Sequence, residues 1–219
     1  MYELQKPSEG ERVFALGNSG TGKSELLKTL YDSSVEHGII LDTKQDDTRM
    51  NDLGRVVKGE RIFDVGPGRY VWKVPVQWID AIDKWDAFFE WALEAGNRVI
   101  FSDEIGDVCE DARNYPLWFR RCYQRGRSRF LGMWGTTQEL ARAPRFAFSA
   151  CHHRYMFYLG DPIQQTLAKG FFEVDVPWSA IPEPRWQPND PRGVDPEGYK
   201  FVYKGPGVAM QGPFRLEHR

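Results

Sequence analysis

The feature that most constrains the fold is a glycine-rich loop between a short apolar run and a helix-forming segment. The apolar run at 12–16 predicts a buried strand, and the loop after it matches the phosphate-loop pattern Gly-x-x-x-x-Gly-Lys-Ser at every fixed position, from Gly17 to Ser24. Glycines let successive backbone N–H groups turn inward around phosphate oxygens, and the following helix adds the positive end of its dipole. The pattern therefore predicts a nucleotide phosphate site.

Two side chains of this loop carry the expected chemistry. Lys23 is expected to reach the β- and γ-phosphates, and the Ser24 hydroxyl is expected to ligate Mg²⁺. The predicted ligands are therefore ATP and Mg²⁺. The residues predicted to bind the nucleotide are Gly17, Asn18, Ser19, Gly20, Thr21, Gly22, Lys23, Ser24 and Glu25.

Buried strands and amphipathic helices alternate along the chain, which predicts a mainly parallel sheet in a three-layer α/β fold. The segment 43–60 is polar and is interpreted as loop. The predicted strands are 12–16, 38–42, 61–64, 69–74, 98–103, 131–137 and 154–159. The predicted helices are 24–36, a Trp-rich segment from Trp78 to a stop at Gly96, and 111–125, which is broken or started near Pro116.

The C-terminal part of the chain differs in composition. Six of the 14 prolines fall between Pro177 and Pro196, which indicates an extended segment. The segments 199–203 and 208–216 flank a Gly-Pro-Gly turn and predict a β-hairpin. We therefore expect residues 1–170 to form the core and residues 171–219 to form an extension packed on the same domain.

An acidic pair follows the apolar strand at 98–103. A carboxylate at the C-terminal edge of a parallel sheet lies beside the phosphate loop, so Asp103 is expected to hold the Mg²⁺ shell and Glu104 to polarise an attacking water. Gln138 ends the next predicted strand and would lie on the same edge. Its carboxamide would sense the γ-phosphate or orient the water; on spacing alone, a plain polar strand terminus explains it equally well.

Arginines are concentrated in one segment of a chain whose formal charge is only −2. The segment 112–146 has eight arginines, no lysine and one acidic residue, which gives it a charge of +7. Arginine suits a finger donated to a neighbouring subunit's ATP, and it also suits contact with nucleic-acid phosphates. A solvated basic face is the alternative.

Other patterns point to ordinary roles. The three cysteines include no Cys-x-x-Cys pair, which indicates reduced thiols in a cytoplasmic protein, and no stretch has the 18 apolar residues needed to span a bilayer. Cys151-His152-His153 lacks a second ligand pair at zinc spacing. Asp46, Asp47 and Asp52 lack the glycine and glutamate of a calcium loop, and they are interpreted as a solvated loop.

Taken in order, these motifs resemble the FtsK/HerA superfamily of ring-forming DNA translocases over about residues 12–160. The shared motifs are the phosphate loop, a second strand that ends Leu-Asp42-Thr-Lys44, Phe-Ser-Asp-Glu-Ile, and Arg125-Gly-Arg127 before a strand that closes in Thr-Thr-Gln138. The resemblance implies a RecA/FtsK-like fold of the type with an additional strand and a catalytic glutamate.

The length of the chain indicates which members of the superfamily it resembles most. With 11 residues before the first strand, we expect neither the N-terminal barrel of HerA nor the membrane segments of FtsK. A bare motor of this length is similar to the genome-packaging ATPases of tailless, membrane-containing icosahedral viruses. The last 50 residues, which are rich in proline, depart from this family, because nothing in them matches an assignable part of it.

The resemblance also implies roles for individual residues. Lys23 and Ser24 would clamp the nucleotide, Asp103 would hold the metal, Glu104 would be the base and Gln138 the sensor. The finger donated to a neighbouring subunit would be Arg127, with Arg125 and Arg129 as alternatives. The further arginines expected to contact DNA are Arg113, Arg120 and Arg121.

The leading hypothesis is an ATP-driven translocase that packages double-stranded DNA into a preformed capsid. Its expected partners are DNA, further copies of the chain in a pentameric or hexameric ring, and capsid-vertex proteins. It would work in the host cytoplasm or at the virion vertex. Two alternatives stay open: an ATP-dependent assembly or switch protein of phage morphogenesis or plasmid mobilisation, and a small-molecule P-loop kinase, in which neither the Asp-Glu pair nor the arginine cluster is expected.

Overall fold

A computed structural model describes residues 4–45, 48–109, 111–172, 175–184 and 199–216, except for the side chains of 171 and 172. Its strands are β1 (Val13–Leu16), β2 (Gly38–Asp42), β3 (Arg55–Lys58), β4 (Arg69–Lys73), β5 (Arg98–Ser102), β6 (Leu131–Thr137), β7 (His153–Met156), β8 (Tyr199–Lys204) and β9 (Gln211–Leu216). Its α-helices are α1 (Lys23–Ser34), α2 (Ile82–Ala95), α3 (Leu117–Arg125), α4 (Arg145–Ser149) and α5 (Pro162–Phe172).

The nine strands of the described residues belong to one sheet, in the order β3-β4-β2-β5-β6-β1-β7-β8-β9. The first seven strands pair in parallel, and β8 and β9 extend the sheet as an antiparallel hairpin. This confirms the predicted mainly parallel α/β fold and the C-terminal hairpin. The helix α5 runs across residue 170, and the division of the chain there stays a prediction.

The central strands of the sheet are buried on both faces, which explains why they are largely apolar. Every residue of β1, β2, β5 and β6 is buried. Val13 and Ala15 pack in one apolar cluster with the inward side of α1, whereas Phe14 and Leu16 pack in a second cluster with α2 and α3. Alternate residues of a strand thus supply opposite layers of the core.

The strand β6 lies between β1 and β5, which is the additional strand that the resemblance predicted. Leu16 is in register with Thr137, and Ser102 is in register with Gly135. The three strands therefore end close together at one edge of the sheet, which we call the carboxyl edge. The phosphate loop, Asp103 and Gln138 all follow these ends.

Several element predictions were wrong, each for a local reason. Residues 61–64 belong to a 3₁₀ helix, Gly59–Asp64, in which only Ile62 is buried. The strand β3 was missed because it forms an edge of the sheet, and three of its four residues are exposed. Trp78 ends a separate 3₁₀ turn, Val76–Trp78, ahead of α2.

The remaining differences lie after β5. The helix α3 begins after Pro116, which agrees with the predicted break or start near this proline, and only the outer bound at residue 111 was wrong. A residue that precedes proline is restricted away from helical geometry, and the Asp111 carboxylate accepts the backbone N–H groups of Arg113 and Asn114. The strand β7 stops at Met156, three residues earlier than predicted. The helices α4 and α5 were not predicted. Asp46 and Asp47 lie outside the described residues.

A glycine at the turn between α2 and β5 allows a close backbone contact with the start of β6. Gly96 has φ 57°, and an added Cβ would stand 2.6 Å from the carbonyl oxygen of Arg129. The next residue, Asn97, donates its backbone N–H to that same oxygen at 2.8 Å. The segment before β6 is therefore fixed against the start of β5.

We predict that Gly96→Ala lowers the free energy of unfolding by about 3 kcal/mol, because it adds a steric overlap to a backbone geometry that favours glycine. Gly59→Ala is the matched control. Gly59 also has a positive φ, 61°, but nothing lies within 4 Å of an added Cβ, so this change should cost about 1 kcal/mol. Urea denaturation measures the free energy of unfolding of both variants. An equal decrease in the two variants would contradict the proposed contact.

Candidate nucleotide site

The phosphate loop connects β1 to α1 at the carboxyl edge, as its sequence context predicted. Gly20 and Gly22 have φ values of 72° and 95°, in the left-handed region that glycine adopts without strain. The Asn18 carbonyl accepts the Thr21 hydroxyl at 2.8 Å, and the Asn18 N–H donates to the Tyr158 carbonyl at 2.9 Å. The loop is thus held in shape by its own side chain and by the segment after β7.

Lys23 lies folded over this loop. Its ammonium group donates to the Asn18 carbonyl at 2.8 Å, and the side chain is only 6% exposed. Burial lowers the pKa of Lys23 to about 8, although Glu104 and Asp103 act in the opposite direction. A nucleotide phosphate at this position would replace the carbonyl as the partner and would favour the charged amine.

The structure supplies a test of whether a metal ion fits beside the loop. Asp103 follows β5 directly, and its Oδ1 atom is buried with no hydrogen-bond partner among the described residues. A buried carboxylate oxygen without a partner is costly unless a cation compensates it. Together with the partly exposed Ser24 hydroxyl, this oxygen provides the hard donors that Mg²⁺ prefers. The residues present therefore fit the ion.

Glu104 is held in position by β6. Its Oε1 atom accepts the Thr137 hydroxyl at 2.8 Å and the Gly106 N–H at 3.2 Å. Burial raises the pKa of the Glu104 carboxyl, and these two hydrogen bonds together with Lys23 oppose that rise. A carboxylate with a raised pKa is suited to accept a proton from water.

Gln138 follows β6 and shares a pocket of about 210 Å³ with Glu104. Lys44 and Asp107 also line this pocket, and Asp107 accepts a short hydrogen bond from the Thr43 hydroxyl. The structure therefore brings Glu104 and Gln138 together, while the role of Gln138 as a sensor stays a prediction.

The three candidate finger residues lie elsewhere. Arg125 ends α3, and Arg127 and Arg129 lie in the 3₁₀ turn Gly126–Arg129 that precedes β6. All three are exposed. The seven residues of β6 separate this amino edge of the sheet from the carboxyl edge by about 20 Å. These arginines therefore cannot reach the phosphate loop of their own chain.

The other predicted residues are dispersed. Glu25 forms an ion pair with Arg49, with 3.4 Å between Oε2 and Nη1. Arg113 lies in the loop before α3, and Arg120 and Arg121 lie on α3 itself. The guanidinium of Arg121 stacks 4.2 Å from the centre of the Trp118 ring. Their predicted contacts with DNA, and that of Glu25 with nucleotide, stay predictions.

The discounted Cys151-His152-His153 run has other partners. Cys151 is buried and donates to the Ala147 carbonyl, while His153 bonds Tyr203 at 2.8 Å and Glu11 at 3.1 Å. Within the described ranges, no group of three or more His, Cys, Asp or Glu residues is arranged to hold a metal ion. None of the described helices combines the length and apolar character needed to cross a membrane.

Sequence reasoning missed two contacts of the site. Thr137 holds Glu104, and the Thr-Thr-Gln ending of β6 was the available signal. Tyr199, at the start of β8, packs on the phosphate loop, because an added Cβ at Gly22 would stand 2.5 Å from its ring. Nothing in the local sequence links these two positions, since 177 residues separate them along the chain and only the sheet order brings them together.

A larger groove, of about 790 Å³, lies along the edge strand β3. Its charged lining residues are Arg55, Lys58, Arg61 and Asp64. It contains neither the glycine-rich loop nor a pair of carboxylates, so volume alone does not identify the nucleotide site.

No protein-family model and no curated protein sequence matches the chain. Its fold does match solved structures, which include a genome-packaging NTPase, a VirB4 protein and a conjugation coupling protein. This confirms the fold that the sequence resemblance implied.

The genome-packaging NTPase B204 from Sulfolobus turreted icosahedral virus 2, in complex with AMPPCP, aligns with a TM-score of 0.70 at 14% identity, over 94% of this chain and 100% of that chain. VirB4 of Thermoanaerobacter pseudethanolicus aligns with a TM-score of 0.65 at 11% identity, over 94% of this chain and 89% of that one. The pCW3 conjugation coupling protein TcpA aligns with a TM-score of 0.55 at 10% identity, over 92% of this chain and 58% of that chain. At these identities the likeness concerns the fold.

We predict that Thr137→Val raises the pKa of the Glu104 carboxyl, because it removes a hydroxyl that donates to the charged form. The measurement is a pH titration followed by NMR of side-chain-labelled glutamate. Thr136→Val is the matched control, because the Thr136 hydroxyl is equally buried but donates to the Asp103 backbone carbonyl. An unchanged Glu104 titration in Thr137→Val would contradict the assigned hydrogen bond.

Proposed function

We propose that this chain hydrolyses ATP to translocate double-stranded DNA and that it packages a viral genome into a preformed capsid. The observation that carries the proposal is the arrangement at the carboxyl edge, where Glu104 is partly buried and is held by Thr137 beside Lys23 and the unpartnered oxygen of Asp103. The likeness in fold to a genome-packaging NTPase over nearly the whole chain supports the packaging role.

In this proposal the phosphate loop and Lys23 hold the triphosphate, and Ser24 and Asp103 hold Mg²⁺, which neutralises charge on the phosphate oxygens when it is bound. Glu104 orients the attacking water and takes its proton, since its carboxyl is already shifted toward proton binding by burial. Gln138 contacts the water or the γ-phosphate from the same pocket. Each role uses a residue that follows the end of β1, β5 or β6.

Hydrolysis is completed by a neighbouring copy. Arg127 is the proposed finger, and Arg125 and Arg129 are the alternatives, because a planar guanidinium stabilises charge on the transferring phosphoryl group. The exposed positions of these arginines on the amino edge support a role in trans. The proposed assembly is therefore a homo-oligomeric ring, which would act with capsid-vertex proteins. The proposed site of action is the host cytoplasm or the virion vertex.

Steady-state ATP hydrolysis with and without long double-stranded DNA, at low and moderate salt, tests this function. We expect DNA to stimulate the rate and the stimulation to weaken as salt rises, because phosphate contacts release counterions. Glu104→Gln should keep ATP binding and lower the rate at least a hundredfold.

Two results would contradict the proposal. A brisk rate that is indifferent to DNA at both salt concentrations would favour the assembly or switch protein. Unchanged hydrolysis in Glu104→Gln would show that another group activates the water.

A further inference from the structure

An exposed aromatic residue follows the candidate fingers directly. Phe130 is 67% exposed, although phenylalanine is among the residues most often buried. Its backbone has φ 53° and ψ 35°, in the left-handed region that is an outlier for a bulky residue. The left-handed backbone ends the 3₁₀ turn, so the fold of the chain accounts for this geometry. The exposure of the ring is unfavourable in the isolated chain, and the fold does not account for it.

The backbone that carries Phe130 is fixed. Its N–H donates to the Arg127 carbonyl at 3.2 Å, and its carbonyl accepts the Arg98 N–H at 3.2 Å. Gly126 packs against the Leu131 carbonyl, from which an added Cβ would stand 2.7 Å. The ring therefore stands on a preorganised turn, which lowers the entropy cost of placing it in a contact.

A second exposed apolar patch lies at the other edge of the same chain. Ile163 is 69% exposed and Leu167 is 36% exposed, and their i, i+4 spacing puts them on one face of α5. This helix borders the nucleotide site, because Gln164 accepts the Leu140 N–H at 3.0 Å just beyond Gln138. Asp161 is exposed at the start of the helix.

We propose that Phe130 of one copy packs against Ile163 and Leu167 of the next copy, and that this contact positions the arginine finger. The inference rests on the proposed function, in which Arg127 acts on a neighbour's nucleotide. Two different patches of one chain form a heterologous contact, which closes into a ring when the rotation permits.

The placement of charged residues supports a second copy of this chain as the partner that covers Phe130. The turn that carries Phe130 also exposes Arg127 and Arg129, whereas the facing patch begins at the exposed Asp161. Glu139 beside this patch is paired with Arg142 of its own chain, with 2.9 Å between Oε2 and Nε. A copy docked in this orientation would bring the arginines toward a triphosphate, which is the anion that their own chain holds about 20 Å away.

The first experiment compares Phe130→Asp with Phe130→Gly by sedimentation velocity, with a non-hydrolysable ATP analogue present. Both variants should raise the concentration for half-assembly at least about tenfold, since a buried aromatic anchor is the type of residue that dominates an interface. Phe130→Gly should keep or raise the melting temperature of the monomer, because glycine adopts the left-handed geometry freely. A residue needed only for folding would lower it.

The control is Val76→Asp. Val76 is 70% exposed, as Phe130 is, but it follows β4, three strands away from β6. It should assemble as the wild-type chain does, which shows that a charge at an exposed apolar site is not itself disruptive.

Mixing two variants with opposite assembly defects tests most directly whether Phe130 contacts the α5 patch of another copy. Phe130→Asp keeps an intact α5 patch, and Ile163→Asp keeps an intact Phe130. In an equimolar mixture, the intact Phe130 of one variant should bind the intact α5 patch of the other. Assembly should end at heterodimers, because each heterodimer exposes only the two damaged patches. Native mass spectrometry resolves these species.

The inference is overturned if Phe130→Asp assembles like the wild-type chain, if the mixture forms no heterodimer, or if the wild-type chain stays monomeric with the ATP analogue. Failure of the proposed function is a separate result: heterodimers would still form, whereas DNA would not stimulate hydrolysis by the wild-type chain.

Discussion

The placement of β6 between β1 and β5 determines what each edge of the sheet can do. Because the three strands are parallel and in register, their carboxyl ends meet, and the phosphate loop, the Asp103-Glu104 pair and Gln138 share one edge. The same strand carries Thr137, whose hydroxyl holds Glu104. At its other end, β6 is preceded by the exposed arginines and Phe130. One strand thus connects the proposed water-activating group to the proposed interface.

The carboxyl edge also concentrates buried charge. Burial lowers the pKa of Lys23 to about 8 and raises the pKa of the Glu104 carboxyl, so both groups are shifted toward their neutral forms. Each charge favours the charged form of the other. Groups of opposite sign whose pKa values are shifted in one cleft are typical of functional sites. Binding of an anionic phosphate beside Lys23 would therefore change the environment of Glu104 as well.

Much of this fold could be predicted because the signals are local. The phosphate loop, the fully buried central strands and the Asp103 position follow from contiguous residues whose burial makes them apolar or whose backbone geometry requires glycine. The edge strand β3 could not be predicted, because its residues are largely exposed and carry no apolar pattern. The contacts of Tyr199 with Gly22 and of Thr137 with Glu104 depend on sheet order and register, which no single segment encodes.

The roles of the arginines also could be predicted only in part from the sequence. Their number and position before β6 were visible in the sequence, and so was the possibility of a finger. That they lie a full strand length from their own nucleotide site is a property of the fold. It makes the proposed active site a composite of two copies.

The most direct test mixes Lys23→Ala subunits with Arg127→Ala subunits, each inactive alone, and measures ATP hydrolysis. We expect recovered activity, because in a random equimolar mixture about a quarter of the interfaces pair an intact pocket with an intact Arg127. Lys23→Ala mixed with Glu104→Gln should stay inactive, since both changes damage the same pocket. No recovery in the first mixture, with assembly intact, would contradict an arginine supplied in trans by Arg127.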